Sequence, residues 1–253
     1  MHIMDIVPGG KCAILAGAGP MGLGAIDYAI HCDRKPSLLV VTDIDDARLE
    51  RAAQVITVEE AAKNGVKLMY VNTAEFADPV AELKKITDGH GFDDVFVMVP
   101  VPALFTMAEK ICREDGCVNF FAGPPIHDMQ GSLNLYRVHY DGIHVVGTAG
   151  SIPEDTVDTI HIIEKKQINA GALVSHILGL NAVIDTLYAM EKPNGAKKVC
   201  YNELDLPLIA IDDLEELGKD NELYAELAKI VKRNGGLWCA EAEEYLLAHA
   251  PRI

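Results

Sequence analysis

The chain is short of positive charge. Its 22 lysines and arginines face 38 aspartates and glutamates, for a formal net charge of −16. That balance repels nucleic acids and anionic lipid surfaces and argues against either as a partner. No apolar run reaches the about 18 residues that suggest a membrane span. The first ten residues, MHIMDIVPGG, lack a basic stretch followed by an apolar block, so a secretory leader is not expected and a cytoplasmic location is. Six cysteines are too sparsely placed for a zinc pattern. Only Cys112 and Cys117 are close, and their C-x₄-C spacing has no second pair, so all six read as thiols in a reducing compartment. Internal repeats, low-complexity linkers and a GxSxG nucleophile elbow are also missing.

What is present is an ordinary globular composition, 49% hydrophobic and 24% charged over 253 residues, with one stretch of unusual organisation. Lys11–Asp43 reads KCAILAGAGPMGLGAIDYAIHCDRKPSLLVVTD. It holds an apolar strand, a glycine turn, a helical pattern, a second apolar strand and an acid, the order that a dinucleotide site requires. Gly17 permits the tight turn, Gly19 lets the backbone approach a pyrophosphate, and Gly22 lets the helix pack close to the sheet. Pro20 and Met21 open the helix, whose free N–H groups and dipole would face the phosphates. Asp43 follows Gly22 by 21 positions and would accept from the adenosine ribose hydroxyls. An acid there repels a 2′-phosphate and favours NAD over NADP. The plain alternative for Asp43 is a cap on the next helix, a role that Asp45 suits equally. Ile44 and Arg48 are placed to flank the adenine.

Further strands are expected at Lys67–Val71, Asp94–Val99, Gly116–Ala122 and Ile143–Gly147, with helices at Asp45–Gln54, Glu59–Lys63, Pro79–Thr87 and Pro102–Arg113. Six strands with helices between most of them predict an α/β fold, a doubly wound six-stranded parallel sheet of the Rossmann type. A helix over Pro153–Lys165 would turn Val157, Ile160 and Ile163 inward. Val174–Ile177 reads as a short edge strand and Lys198–Tyr201 as a last strand. Acidic helices at Asp213–Leu217, Glu222–Lys232 and Ala240–Ala248 complete a helical C-terminal extension. The domains expected are a dinucleotide-binding domain over 1–204 and the extension over 205–253, packed on it.

The segments GAGPMGLGAIDYA, VVTDIDDARLERA, DGHGFDDVFVMVP, EDGCVNFFAGPP, HVVGTAGS and INAGALVSHILGLNAVIDTLYAM together resemble the cofactor domain of the zinc-type medium-chain dehydrogenases. LNLYRVHYDGIHVVGTAGS and GLWCAEAEEYLL are most similar to the sorbose-1-phosphate reductase and sorbitol dehydrogenase branch. The resemblance implies cofactor contacts at Val99, Pro100 and Val101, with Gly123, Thr148 and Ala149 beside the nicotinamide; loop punctuation is the plain alternative for each. It implies a polyol or ketose, free or phosphorylated, as substrate, and pairing of Val174–Leu180 in a homo-oligomer. Relatives carry about 150 residues ahead of the glycine turn, on what the resemblance implies, forming a GroES-like domain with the zinc and the proton relay. In this chain the turn begins at residue 17. The expectation is therefore an NAD-binding half, inactive alone, with no catalytic residue and no metal ligand of its own.

Other readings stay open on the residues. The chain would also serve as a stand-alone NAD sensor, as a subunit completed by a partner, or as an S-adenosylmethionine-dependent methyltransferase, which shares the glycine turn and the acid. His127, His139 and His144 have no tight ligand spacing. His139-Tyr140-Asp141 would approach a substrate only in a complete enzyme.

Overall fold

Unbroken apolar runs make strands that hide both faces. Every residue of β2 (Leu38–Asp43) is buried, and in β1 (Lys11–Leu15) all but Lys11 are. The computed structural model, which describes residues 5–147, 149–189 and 195–253, joins these strands to β3 (Lys67–Asn72), β4 (Phe92–Val97), β5 (Cys112–Phe120) and β6 (His144–Gly147). The order is β3-β2-β1-β4-β5-β6, and every pairing is parallel. Parallel neighbours need crossovers, supplied by α1 (Pro20–His31), α2 (Asp46–Val55), α3 (Val58–Lys63), α4 (Pro79–Ile86), α5 (Pro102–Ile111) and α6 (Leu135–Tyr140). The Rossmann sheet expected from the sequence is the one observed.

Local signals fix the helix starts. Pro20, Pro79 and Pro102 each open a helix, where the missing N–H costs nothing. Asp45, Thr57 and Asp78 cap α2, α3 and α4 with side-chain oxygens. One face of the sheet packs Leu15, Val40, Val95, Val97 and Val118 with Leu83, Ala108 and Ile111. At the amino edge, Asp94 accepts from the Val7 amide at 2.9 Å and Asp93 from the Lys11 amide at 2.7 Å.

Three expectations are corrected. α6 has no counterpart among the helices expected from the sequence; it is only six residues long, LYRVHY, and rich in β-forming types. α7 (Pro153–Glu164) forms as expected, but Val157, Ile160 and Ile163 are 52%, 50% and 40% exposed, because no described element lies over their stripe. Val174–Ile177 is not an edge strand: β7 (Val174–Gly179) is the centre of a second sheet, order β8-β7-β9. It runs parallel to β8 (Lys197–Tyr201) and antiparallel to β9 (Ile209–Ala210), a strand too short to show in the sequence.

The chain divides into compact units Met1–Ile168 and Asn169–Ile253. The second has its own core, in which Ile177, Leu204 and Ile209 meet Leu227, Ile230, Trp238 and Leu246. Ile177 and Ile209 come from the second sheet, Leu204 and Trp238 from loops, and the others from α10 (Glu222–Arg233) and α11 (Ala240–His249), which follow the short α8 (Val183–Ala189) and α9 (Leu214–Leu217). Trp238 Nε1 donates to the Tyr201 hydroxyl at 3.0 Å, which donates to Glu243 at 2.7 Å.

Burial pushes the Cys112 thiol up to about 12 and the Cys117 thiol up to about 11. Unfolded thiols ionise near about 8.5, so above that pH the folded chain retains protons that the unfolded chain releases. The stability contributed by these groups is complete below about pH 8.5 and is lost as pH rises toward the folded values. The expected result is a lower urea midpoint at about pH 10.5 than at about pH 8, with the drop reduced in Cys112→Val.

Candidate functional site

Four strands of the main sheet end together. Leu15, Val97, Phe120 and Gly147 are neighbours across β1, β4, β5 and β6, and Ile14 sits beside Val41 of β2. The loops that follow these strands therefore leave one edge, the carboxyl edge, where open parallel sheets bind ligands. Of the residues singled out from the sequence, Gly17–Gly22 follow β1, Asp43 ends β2, and Ile44 comes next. Val99–Val101 follow β4, Gly123 follows β5 and Ala149 follows β6. Arg48 lies farther along α2, where its Nε stands 3.6 Å from Asp45. Thr148 lies outside the described residues.

The glycine turn is held by the fold on two of its three glycines. A Cβ on Gly22 would stand 1.9 Å from the Gly17 carbonyl oxygen, and one on Gly17 would stand 2.6 Å from Ile14 Cγ2. Gly19 differs. Its φ of −82° is open to any residue, and a Cβ there would meet nothing within 4 Å. Among the described residues nothing requires glycine at 19, whereas a ligand backed against the turn would. Gly123 has the same freedom around it. Gly19 is also the N-cap of α1 and brings no side-chain acceptor, so the first amides of that helix are left for another partner. The turn is tied to β2 through Gly17 N donating to Thr42 O at 2.8 Å, and Ala16 N donating to Thr42 Oγ1 at 3.4 Å.

Asp43 is buried to 4% exposure at the end of β2. Its Oδ1 accepts from Ile44 N at 2.8 Å and Asp45 N at 3.3 Å. No described donor reaches Oδ2, and it is not among the buried atoms without a partner, so it opens to solvent. The capping role belongs to Asp45, which accepts from Ala47 N and Arg48 N. Around this edge Met21, Ile44 and Val101 are 47%, 73% and 43% exposed, apolar side chains with little of their own to cover. The arrangement offers free helix amides, a fixed carboxylate oxygen and apolar walls: a receptor for a phosphate-linked, hydroxyl-bearing, flat molecule.

Two contributors were not singled out from the sequence. In the sequence Thr42 is simply part of the second apolar strand. Ala16 has φ +53°, a left-handed conformation that residues other than glycine rarely adopt. The composition of a strand end does not reveal either role. His139-Tyr140-Asp141 lies away from this edge: Asp115 N donates to Asp141 O, and Arg137 links Asp141 to the Cys112 carbonyl at the start of β5. That is the amino edge, so these residues do not join the site. Among the described residues, no three His, Cys, Asp or Glu side chains are grouped as metal ligands would be. No described helix is long and apolar enough to cross a membrane.

Residues 20–165 match the family model described as zinc-binding dehydrogenase. The mannitol-1-phosphate 5-dehydrogenase of Aliivibrio fischeri is 42% identical over 97% of this chain and 58% of its own length. The L-sorbose 1-phosphate reductase of Klebsiella pneumoniae is 40% identical over 100% of this chain and 58% of its own. The chain thus spans little more than half of these curated relatives. Among solved structures, the zinc-dependent alcohol dehydrogenase 2 of Streptococcus pneumonia superposes with a TM-score of 0.55 at 28% identity, over 74% of this chain and 49% of that one.

Two substitutions test the turn as a piece of folding. Ala16→Gly removes the cost of a left-handed alanine and is expected to raise stability by about 1 kcal/mol. Gly22→Ala places a Cβ inside the Gly17 carbonyl and is expected to cost more than about 3 kcal/mol or to abolish folding. Urea midpoints of both variants against the parent chain measure this.

Proposed function

The chain belongs to the zinc-binding dehydrogenase family and carries its NAD-binding Rossmann domain; we propose that the carboxyl-edge residues hold NAD(H) for oxidation or reduction of a polyol or ketose phosphate. The observation that carries this reading is Gly19, a glycine that the fold does not need, at the uncapped start of α1. In this reading the backbone N–H groups of the Gly17–Gly22 turn, Met21 among them, receive the pyrophosphate, while Pro20, which has no N–H to donate, sets the start of α1. The free Oδ2 of Asp43 accepts from the adenosine ribose. Ile44 and Val101 cover the adenine faces, with Val99 and Pro100 along the ribose. Arg48 is at the rim, held by Asp45. Gly123 and Ala149, with Thr148, border the nicotinamide.

The dinucleotide, when bound, supplies the hydride acceptor or donor. The chain's own part is to bind and orient it. The substrate class rests on the two relatives, whose names specify a hexitol phosphate and a ketose phosphate. The chain spans 58% of each of these relatives, and by itself it is proposed to bind NADH without turning over a polyol.

NADH emission on titration with the purified chain tests this, since Trp238 is buried in the second unit and is a poor reporter. Saturable binding is expected. In Gly19→Ala the unfolding free energy from urea titration should stay within about 0.5 kcal/mol of the parent. NADH affinity should fall at least about tenfold, an added methyl standing where the pyrophosphate must approach. Equal NADH affinity in Gly19→Ala, or zinc-dependent polyol oxidation by the chain alone, would contradict the proposal.

A further inference from the structure

We propose that Asp46, held in place by Asn72, is a second residue selecting NAD over its 2′-phosphorylated counterpart. The inference rests on the NAD reading above. Asn72 ends β3 as the register partner of Asp43, about 5 Å away across the ladder. Its Nδ2 donates to Asp46 Oδ1 at 2.7 Å while its Oδ1 accepts from Ala74 N at 2.9 Å. The second bond fixes the amide, so the first holds the Asp46 carboxylate one hydrogen bond from the residue beside Asp43.

The charges at this corner do not cancel. Asp43, Asp45 and Asp46 give three negative charges, and among the described residues the ion pair of Arg48 is with Asp45, at 3.6 Å. Asn72 is neutral, so Asp46 keeps its full charge. Carboxylates this close to the ribose pocket lie within about one Debye length, 8 Å at physiological salt, so screening does not remove their effect on a nearby dianion. A ribose hydroxyl meets Asp43 as a hydrogen-bond acceptor; a 2′-phosphate meets two fixed negative charges. Neutralising Asp43 alone therefore leaves a barrier in place.

Asp46→Asn keeps a group that can face Asn72 and removes the charge. Binding of NADH and NADPH, and of 5′-AMP and 2′,5′-ADP as fragments, is measured at low and high salt. Asp46→Asn is expected to leave NADH and 5′-AMP affinity within about twofold. It should tighten NADPH and 2′,5′-ADP by about threefold to tenfold at low salt, with the gain shrinking at 0.5 M salt as about 4 Å screening sets in. Asp43→Asn/Asp46→Asn should bind NADPH more tightly than Asp43→Asn. A purely helix-starting role for Asp46 would shift the urea midpoint and leave the ratio of the two ligands unchanged. Unchanged NADPH and 2′,5′-ADP affinity in Asp46→Asn, with NADH binding intact, overturns this inference alone. Failure of the parent chain to bind NADH or 5′-AMP overturns it together with the cofactor reading.

Discussion

The close pass between the Gly17 carbonyl and Gly22 is the constraint on which the site depends. The chain leaving β1 turns so tightly that no side chain fits at 22. That turn aims α1 with its uncapped end at the carboxyl edge, and it is fastened to β2 by Thr42. The same bonds bring Asp43, one residue further along β2, to the side of the turn. The uncapped helix start and the Asp43 carboxylate are thus positioned by one local event in the main chain, buttressed by strands with no exposed face.

The glycines of the turn divide by what they serve. Gly17 and Gly22 answer to Ile14, Val41 and each other; Gly19 answers to nothing among the described residues. Ala16 adds strain at the same place, held left-handed between a buried strand and the turn. Strain and unfilled space at one turn are what a binding loop requires, and they set it apart from the many glycines whose positive φ marks an ordinary bend.

Much of the main sheet was legible because its signals are local. LLVV announces a two-faced buried strand, prolines and Asp or Thr caps announce helix starts, and the spacing from Gly22 to Asp43 follows from one helix and one strand. The choice between Asp43 and Asp45 as cap was not legible, since both sit before the same helix and only backbone direction separates them. Pairing across distance was less legible still. β7 carries the pattern of a half-buried strand, and nothing local says that it pairs with the two-residue β9 in a separate sheet. The stripe on α7 gives a helix but not a neighbour; Val157, Ile160 and Ile163 are periodic and exposed. Asn72 and Asp46, 26 positions apart, are joined only by the parallel pairing of β2 and β3.

Family membership and the NAD-binding domain follow from relatives that this chain covers to 58% of their length. The residues proposed to bind the cofactor lie along one edge of the main sheet. Amide hydrogen exchange of the chain with and without NADH tests that assignment most directly. The account predicts slowed exchange at residues 18–23, 43–45 and 98–101, the loops leaving β1, β2 and β4, with no change at the amino-edge segment 112–116. Protection absent from the glycine turn, or centred on the amino edge, would contradict it.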